Sequence, residues 1–538
     1  MTRALTRPER WPRVVPAAVV GLLAALLYLP ALSNDFVNWD DDRLVVDNPA
    51  VTRGDGLGRI WSTVELPASF PNYPLTFTTY WLEHRLWGLN PRGYHAVNVL
   101  LHGVNAALVV LLLYALGCGA WVATLAGALF AVHPMQVESV AWVAERKNVL
   151  STAAFLAALL AYLRHRVSGR AAWYAAALVL FAAALLAKTA TVVLPFTLLL
   201  SDRWRDGGWT RASLLRALPF FAFSLAAGVM TLLVESPTVS TPLALRPLLA
   251  ASVLSFYAGK LLVPVALQPV YPRWELSLSE LRWWAPLLGL GAAAFLVWRW
   301  QPPWRVRWGL GHFVCALLPV LGLVPFGYSE YSFVADRHVY LASIGAALLA
   351  ALALDALRPR AAAALGAAVL VAGLALLTAR QIGVWRNSVV LWSTALAYQP
   401  DLWVAQNNLA LALIERGRLD EAAGLLEDAL AARPRYAEAH ANLALVRYRQ
   451  GDLATAERHC RQAYALKPYE PHYAKNLAIV LAERGDLAGA TAVLRGALGL
   501  APDAEDLRVM LADMLRKQGQ GDTVQPSEHG SSQPVWIR

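Results

Sequence analysis

Long apolar runs fill most of the first 380 residues of this chain and are separated by short polar connections. The hydrocarbon layer of a bilayer is about 30 Å thick, and a helix needs roughly 20 mostly apolar residues to cross it. Charged residues make up only 16% of the 538 residues, whereas soluble proteins average about a quarter. We therefore predict a multi-pass membrane protein. The twelve candidate runs, two of them short, lie at about 14–32, 94–116, 119–134, 149–163, 171–188, 190–200, 217–234, 248–268, 282–299, 308–326, 338–357 and 361–379.

The basic residues between the runs predict the orientation, because Arg and Lys concentrate in cytoplasmic connections. The basic tail before residue 14 and the basic connections after the fourth, sixth, ninth and eleventh runs should all lie inside. This holds only if the run at 248–268, which contains Lys260 and Pro264, does not cross fully, so we interpret it as re-entrant or interfacial.

Eleven crossings then leave the N-terminus in the cytoplasm and everything after residue 380 outside an inner (cytoplasmic) membrane. The first run would be an uncleaved anchor rather than a signal peptide. The other expected outer segments are 33–93, 134–148, 236–281 and 327–337.

The part of the chain after residue 386 repeats with a period of 34 residues. The residues that recur at this step are Pro400, Pro434, Pro468 and Pro502; Gly417, Gly451 and Gly485; Asn408, Asn442 and Asn476; and Ala422, Ala456 and Ala490. Gly at the turn, small residues at the helix crossing and Pro at the end are typical of tetratricopeptide repeats. We predict three full repeats at about 401–502, a partial repeat at 388–400, a capping helix at 503–518 and a disordered tail at 519–538.

The net charge of +10 does not indicate nucleic-acid binding. Residues 401–518 hold 16 acidic and 15 basic side chains, so the basic excess belongs to the membrane part, where it sets orientation. Cys118, Cys315 and Cys460 show no paired or metal-type spacing, which predicts neither a disulfide framework nor a zinc site. The sequence also lacks phosphate-binding Gly loops, dinucleotide fingerprints and nucleophile elbows.

Three consecutive carboxylates, Asp40, Asp41 and Asp42, follow Trp39 in the expected outer loop 33–93. Neighbouring carboxylates repel one another, which can raise a pKa and supply a general base. A solvated acidic turn is the alternative interpretation.

Polar residues also mark the second run, where His95, Asn98, His102 and Asn105 share one helical face. Polar groups inside a bilayer must face other helices or a wet cavity. The stripe therefore either forms hydrogen bonds between helices or lines a substrate cavity, with His102 as a candidate contact.

The segment 133–148 predicts an amphipathic interfacial helix with Glu138, Trp142 and Glu145 on one face. The alternative is an outer polar site to which Glu138, Arg146 and Lys147 contribute. His133, at the start of the segment, is a further candidate for substrate binding.

Arg337 stands just before the eleventh run, at an expected membrane boundary. The guanidinium group suits a lipid-linked phosphate because it binds an oxyanion in two places. Snorkelling, or a pair with Asp336, is the alternative. Lys188, Lys260 and Arg273 are further phosphate candidates.

Five stretches, in order, resemble a known family. They are FVNWDDDRLVVDNPAV (36–51), YPLTFTTYWLEHRLWGLNPRGYHAVNVLLHGVNA (73–106), AVHPMQVESVAWVAERKNVLS (131–151), AKTATVVLPFTLLLSDRW (187–204) and FVADRHVYLASIG (333–345). Together with the repeats they resemble the transmembrane and tetratricopeptide repeat-containing protein O-mannosyltransferases and their bacterial relatives, over most of the chain from residue 30 to 515. That family is similar to the wider GT-C glycosyltransferases, which use a polyprenyl-phosphate sugar and an acidic motif in the first outer loop.

The resemblance implies catalytic roles for Asp40 and Asp41, on which the family's acidic pair falls. Asp42 is an extra carboxylate that leaves open which two act, and Ala342 departs from the proline expected there. Arg337 matches the family's basic residue before a late span. The expected substrate-binding residues are Asp42, His102, His133, Glu138, Arg146, Lys188 and Arg337.

The implied reaction moves a sugar, with mannose favoured, from polyprenyl phosphate to Ser or Thr hydroxyls of exported proteins, while the repeats hold the acceptor. A polyprenyl-phosphate sugar is then the donor substrate, no cofactor is assigned, and the need for a divalent metal is left open. Membrane lipid and protein acceptors are the expected partners.

The predicted fold is all-α. A GT-C-like bundle of about eleven spans occupies residues 1–386, and a tetratricopeptide-repeat solenoid occupies 387–518. Two alternatives stay open. One is a membrane-anchored scaffold for envelope proteins, against which the polar stripe and outer carboxylates argue. The other is a GT-C enzyme with a glycolipid or polysaccharide acceptor, although the concave groove of stacked repeats favours a peptide.

Overall fold

The computed structural model describes residues 11–62, 73–234, 241–324 and 327–519. Within these ranges the regular elements are all helices, as predicted, and no strand occurs. Contacts divide the chain into two compact units, Met1–Leu391 and Trp392–Arg538. The tail expected to be disordered lies outside the described residues except for Gly519, as do the first arginines of the basic N-terminus.

The first unit is a bundle of apolar helices joined by short helical turns. Its helices are α1 Trp11–Leu27, α2 Pro49–Thr52, α3 Gly56–Ser62, α4 Pro74–Trp87, α5 Pro91–Ala115, α6 Ala120–Val132, α7 Val137–Ala141, α8 Arg146–Ser168, α9 Ala171–Ala187, α10 Leu194–Asp206, α11 Arg211–Val234, α12 Arg246–Leu262, α13 Leu281–Trp300, α14 Trp304–Leu317, α15 Ser343–Ala356 and α16 Arg360–Val384. Each predicted apolar run overlaps one of these helices.

Six helices among the described residues are long and apolar enough to cross a membrane by themselves. They are Val14–Ser33, Pro91–Ala115, Arg211–Val234, Leu243–Leu262, Leu281–Trp300 and Arg360–Val384. A seventh span is possible if Ala120–Val132 and Pro134–Ala141, which are bent by 56°, act as one. The chain is a multi-pass membrane protein. The count of eleven crossings and the re-entrant interpretation of 248–268 stay predictions, because the remaining helices are shorter or, like α8, less apolar, and Leu243–Leu262 is long enough to cross.

Two glycines bring α1 and α5 into close contact. A Cβ atom added to Gly21 would lie 2.7 Å from the carbonyl oxygen of Gly103. Small residues allow this close approach of backbones, which drives helix association inside a membrane.

The polar stripe on α5 forms hydrogen bonds with neighbouring segments. Asn98 Nδ2 donates to the carbonyl of Trp142 over 3.0 Å, and Asn105 Nδ2 donates to the carbonyl of Val149 over 2.9 Å. His102 is hydrogen-bonded to the Tyr340 hydroxyl at 2.8 Å and to a backbone carbonyl at 3.0 Å. These contacts support the interpretation that the stripe joins helices.

The segment 133–148 is not the continuous amphipathic helix that we predicted. It forms the short α7, leaves helical geometry at Trp142 with φ −95° and ψ 123°, and becomes helical again at α8. Side chains distant in sequence form hydrogen bonds with the backbone groups of this segment. Asn98 donates to the carbonyl of Trp142, Tyr80 donates to the carbonyl of Val143, and Asp41 accepts from the amide of Ala144. Glu138 and Glu145 are consequently buried, not interfacial.

The two ends of α8 lie in different polar clusters. Its C-terminal Arg166 pairs with Asp202 and Asp206, and Arg216 also contacts Asp202. Its N-terminal end belongs to the site described below. The helix has 23 residues, and a rise of 1.5 Å per residue separates its ends by about 35 Å.

The second unit contains the predicted helix pairs. After α17 Ser388–Tyr398, which includes the boundary, the helices are α18 Trp403–Glu415, α19 Leu419–Ala432, α20 Ala437–Arg449, α21 Leu453–Leu466, α22 Pro471–Glu483, α23 Leu487–Leu500 and the final α24 Glu505–Lys517. The recurring glycines 417, 451 and 485 have φ values of +74°, +83° and +84°, a conformation that glycine adopts readily at a helix end. The recurring alanines 422, 456 and 490 are fully buried.

Candidate functional site

The acidic motif lies in the loop after α1, and its middle carboxylate is wholly buried. Asp41 Oδ2 accepts the amide N–H of Val37 over 2.9 Å, and Oδ1 accepts the amide N–H of Ala144 over 2.8 Å. Burial raises the pKa of Asp41, and these two hydrogen bonds oppose that rise. Asp41 therefore fastens the acidic loop to the segment between α7 and α8.

Asp40 has a different environment. It is only partly buried, and its carboxylate accepts no hydrogen bond from the described residues. Burial raises the pKa of Asp40, while the charges of Lys147, Arg337 and Arg43 oppose the rise. A carboxylate with this environment is available to accept a proton from an incoming group.

The Asp42 side chain forms a hydrogen bond with the backbone of the next residue. Its Oδ1 accepts the amide N–H of Arg43 over 2.9 Å, and burial raises the pKa of Asp42 to about 6. The motif is thus not the uniformly solvated turn of the alternative interpretation.

Three cations share one buried carboxylate, Glu145, and two of them, Lys147 and Arg337, also act on Asp40. Lys147 Nζ lies 3.0 Å from Glu145 Oε1, Arg337 Nε lies 3.5 Å from the same oxygen, and Lys188 Nζ lies 3.5 Å from Oε2. Burial would raise the pKa of Glu145, but the three cations outweigh it and lower the pKa to about 2. Lys147, Lys188 and Arg337 are called the cation cluster below.

Glu138 holds Arg337 in place. Its Oε1 lies 2.6 Å from Arg337 Nη1, and its Oε2 accepts the backbone amide of Arg337 over 2.7 Å. The guanidinium also lies 4.1 Å from the ring centre of Tyr328 and 5.4 Å from that of Trp142. Asp336 instead accepts a hydrogen bond from Tyr271 over 2.7 Å, so Glu138, not Asp336, pairs with Arg337.

The charges of this site are nearly balanced. The cation cluster carries three positive charges, and the buried Glu138 and Glu145 carry two negative ones. Asp40 interacts with the cluster, and its carboxylate brings the negative charges to three, so the site gains a net positive charge when Asp40 takes up a proton. Among the described residues, no three His, Cys, Asp or Glu side chains are close enough together to hold a metal ion.

Aromatic rings form one wall of the site. Trp39, the neighbour of Asp40, stacks on Trp142 with ring centres 6.5 Å apart, and Trp142 stacks on Trp385 at 5.4 Å. Tyr331 meets Trp39 edge-on at 5.5 Å. These rings limit the access of water to the charged groups and so strengthen the electrostatic interactions there.

The structure brings together residues that sequence reasoning selected from four distant places. The contacts above join the loop after α1, the segment between α7 and α8, the end of α9 and the turn before α15 at one end of the bundle. The selected residues that meet here are Asp40, Asp41, Asp42, Glu138, Lys188 and Arg337.

Three other candidates lie outside this group. Arg146 is fully buried and paired with Glu83. His102 belongs to the helix-joining stripe. His133 accepts the amide of Met135 over 3.3 Å and is hydrogen-bonded to the carbonyl of Leu261 at 3.1 Å. Substrate binding by these three side chains stays a prediction, and each has a structural contact.

The lower-ranked phosphate candidates also have backbone partners. Lys260 donates to the carbonyls of Val265 and Ala266 over 2.7 and 3.1 Å, and Arg273 donates to the carbonyl of Ser329 over 3.0 Å.

Sequence reasoning gave too little weight to Lys147 and Glu145. It ranked Arg146 above Lys147 as a substrate contact because it treated 133–148 as a single helix. A single helix has no break at Trp142, so the pattern did not show which of the two side chains faces the site. The signal available was the alternation Glu145, Arg146, Lys147, in which the first and third residues face the site and the second points into the bundle.

Comparison with known proteins finds relatives of the repeat region. Residues 391–471 match the tetratricopeptide repeat family. The chain is 38% identical over 184 residues to protein O-mannosyl-transferase Tmtc2 of Drosophila melanogaster, a match covering 32% of this chain and 20% of that protein. It is 35% identical over 160 residues to human TMTC2, covering 28% of this chain and 19% of the relative. The resemblance inferred from the sequence is confirmed, and the matches span about a fifth of these relatives' length.

Solved structures also show likeness. The crystal structure of ArnT from Cupriavidus metallidurans bound to undecaprenyl phosphate is 15% identical, with a TM-score of 0.38, over 82% of this chain and 79% of ArnT. A tetratricopeptide repeat protein of Thermus thermophilus, TTC0263, is 25% identical with a TM-score of 0.23 over 39% of this chain and 97% of that protein.

Proposed function

We propose that this chain is a membrane glycosyltransferase that moves a sugar, mannose by preference, from a polyprenyl phosphate to Ser or Thr hydroxyls of exported proteins. The observation that carries the proposal is the juxtaposition of Asp40, a carboxylate without a hydrogen-bond donor among the described residues, with the cation cluster. The names of the O-mannosyl-transferases that the chain resembles favour mannose and protein acceptors.

In the proposed reaction Asp40 takes the proton of the acceptor hydroxyl as its oxygen attacks the anomeric carbon of the sugar. The bond between that carbon and the phosphate oxygen breaks, and the electron pair leaves with the phosphate. The leaving phosphate gains a negative charge, which Arg337, Lys147 and Lys188 stabilise. Cations already fixed by Glu138 and Glu145 need little reorganisation when this charge develops.

Of the two candidate bases, the contacts favour Asp40. Both oxygens of the wholly buried Asp41 already accept backbone N–H groups, so an acceptor hydroxyl could reach this carboxylate only by displacing one of them. In this proposal Asp41 positions Asp40 by holding the loop against the segment that supplies Lys147.

The proposed membrane orientation follows from the two ends of α8. The arginine-rich connections around Arg166 and Arg216 would face the cytoplasm, and the site, about 35 Å away along the helix, would face outward. The repeats would then lie outside an inner membrane and present their concave surface to acceptor polypeptides.

The test is incubation of the full chain in lipid nanodiscs with labelled polyprenyl-phosphate mannose and three acceptor sets: exported proteins, glycolipids and polysaccharide. Label on Ser or Thr of protein supports the proposal, and label on a glycolipid or polysaccharide would assign a different acceptor. No transfer to any set, with binding of exported proteins to the repeats intact, would favour the scaffold.

A further inference from the structure

Asn148 lies between the two sides of the cation cluster. It belongs to the first turn of α8 and is 7% exposed. Its Oδ1 accepts a hydrogen bond from Lys188 Nζ over 2.5 Å, and its Nδ2 donates to the carbonyl of Arg337 over 3.0 Å and contacts Ser139 Oγ at 3.1 Å. One amide thus joins Lys188, which follows α9, to the turn that carries Arg337.

These contacts fix the orientation of the amide. If the group were turned over, its NH2 would face the ammonium of Lys188 and its oxygen would face the carbonyl of Arg337. A Lys ammonium can only donate and a carbonyl can only accept, so both contacts would become repulsive. The residue needed here therefore has an acceptor and a donor on one rigid plane, a requirement that Asn meets.

The amide holds Lys188 without neutralising it. The charged groups around Lys188 are Glu145, Lys147 and Arg337, and Glu145 lies 3.5 Å from its ammonium. The shorter 2.5 Å contact goes to the neutral oxygen of Asn148. The charge of the Lys188 ammonium is therefore preserved while the ammonium is held in place.

We propose that Asn148 is a positioning residue that sets the separation of Lys188 and Arg337 and so matches the cation cluster to the phosphate of the lipid-linked donor. The inference rests on the proposed function, because it takes that phosphate as the ligand. Asn148 acts through the two cations and does not itself touch the phosphate.

Two substitutions separate geometry from charge. Asn148→Ala removes the link and leaves the charges of the site unchanged. Asn148→Asp keeps the contact with Lys188, but it adds a negative charge to the site and sets an anionic oxygen against the carbonyl of Arg337. Both should weaken phosphate binding, and a hydrogen bond to a charged group is strong enough for a loss of roughly tenfold or more.

A pH profile distinguishes this role from a purely structural one. Burial lowers the pKa of Lys188 to about 8, so phosphate affinity should fall as the pH rises through that value and the ammonium loses its proton. An added carboxylate at position 148 favours the protonated form. The fall in affinity of Asn148→Asp should therefore occur at a higher pH than that of the wild type.

The experiment measures the affinity of the full chain in nanodiscs for undecaprenyl phosphate by native mass spectrometry, on both sides of pH 8. Asn105→Ala is the matched control, because Asn105 is a buried asparagine that donates to the carbonyl of Val149 and to the hydroxyl of Tyr340, neither of which belongs to the cation cluster. Its affinity should equal that of the wild type. Ser139→Ala, which removes one contact of the amide and no cation, gives a milder test if the variants at 148 fail to fold.

The outcomes are distinct. Weaker binding by both Asn148 variants and a displaced pH profile for Asn148→Asp support the inference. Wild-type affinity in Asn148→Ala and Ser139→Ala overturns it while leaving the proposed function intact. An equal loss of affinity in Asn105→Ala would also overturn it, because the loss would then follow from removing any buried asparagine. A wild-type chain that binds no undecaprenyl phosphate would instead refute the donor site of the proposed function.

Discussion

Replacing Asp40 and Asp41 separately by Asn should give opposite patterns of turnover and stability. The Asp40 carboxylate accepts no hydrogen bond from the described residues, so Asp40→Asn should leave the unfolding temperature nearly unchanged. It removes the proposed proton acceptor, and general-base catalysis typically contributes about a hundred- to ten-thousand-fold in rate. Turnover should fall by that order, whereas donor affinity should change much less because the cation cluster is intact.

Asp41→Asn should act mainly on stability. Both Asp41 oxygens accept amide N–H groups, at 2.9 and 2.8 Å, and an Asn side chain has only one oxygen. The other amide would face an NH2 group, and leaving a buried donor without its hydrogen bond costs about 1–3 kcal/mol. The loop would loosen and turnover would fall as a consequence of that loss of order.

Turnover with a polyprenyl-phosphate sugar and thermal unfolding should be measured on the same nanodisc preparations. Asp47→Asn is the matched control, because Asp47 is an exposed carboxylate of the same loop, and it should keep both properties. The reasoning is refuted if Asp40→Asn keeps full turnover, or if Asp41→Asn abolishes turnover at unchanged stability.

Three further predictions concern charge and topology. Lys188→Arg should remove the loss of donor affinity above pH 8, because burial lowers the pKa of Lys188 to about 8 and Arg stays protonated; an affinity that still falls there would exclude Lys188 as the titrating group. Arg146→Met should destabilise the chain by about 3–5 kcal/mol, because it leaves the carboxylate of Glu83 buried without its cation. The double variant Glu83→Gln with Arg146→Met should regain much of the lost stability, as measured by thermal unfolding. A reporter active only in the cytoplasm, fused after residue 518, should be silent, and activity there would reject the odd number of crossings.

The local periodicities of the sequence were sufficient to predict the helices. The 34-residue step predicted the helix pairs of the second unit because each repeat packs mainly on its neighbours. The apolar runs predicted the membrane helices because span length follows from bilayer thickness. Both signals are confined to contiguous segments of chain.

The geometry of the site depends on contacts that no local pattern contains. The helix break at Trp142 arises because Asn98, Tyr80 and Asp41, which lie far away in the sequence, bind the backbone there. That break decides that Lys147, and not Arg146, faces Asp40. Sequence reasoning therefore selected segments that meet in the structure but could not rank the cations within them.

The same limit applies to the acidic motif. Sequence and family resemblance gave equal weight to Asp40 and Asp41, because adjacent carboxylates are chemically alike. Their difference lies in the amides of Val37 and Ala144, which occupy one carboxylate and not the other. Only the folded loop distinguishes a positioning carboxylate from one available for chemistry.

The position of a bound donor phosphate tests the central claim most directly. It can be measured by electron cryomicroscopy of the full chain in nanodiscs with a polyprenyl phosphate. The proposed mechanism predicts phosphate density within about 3 Å of donor nitrogens of Arg337, Lys147 and Lys188, on the side that faces Asp40. A phosphate bound elsewhere, such as beside Lys260 and Arg273 and away from the cation cluster, would contradict it.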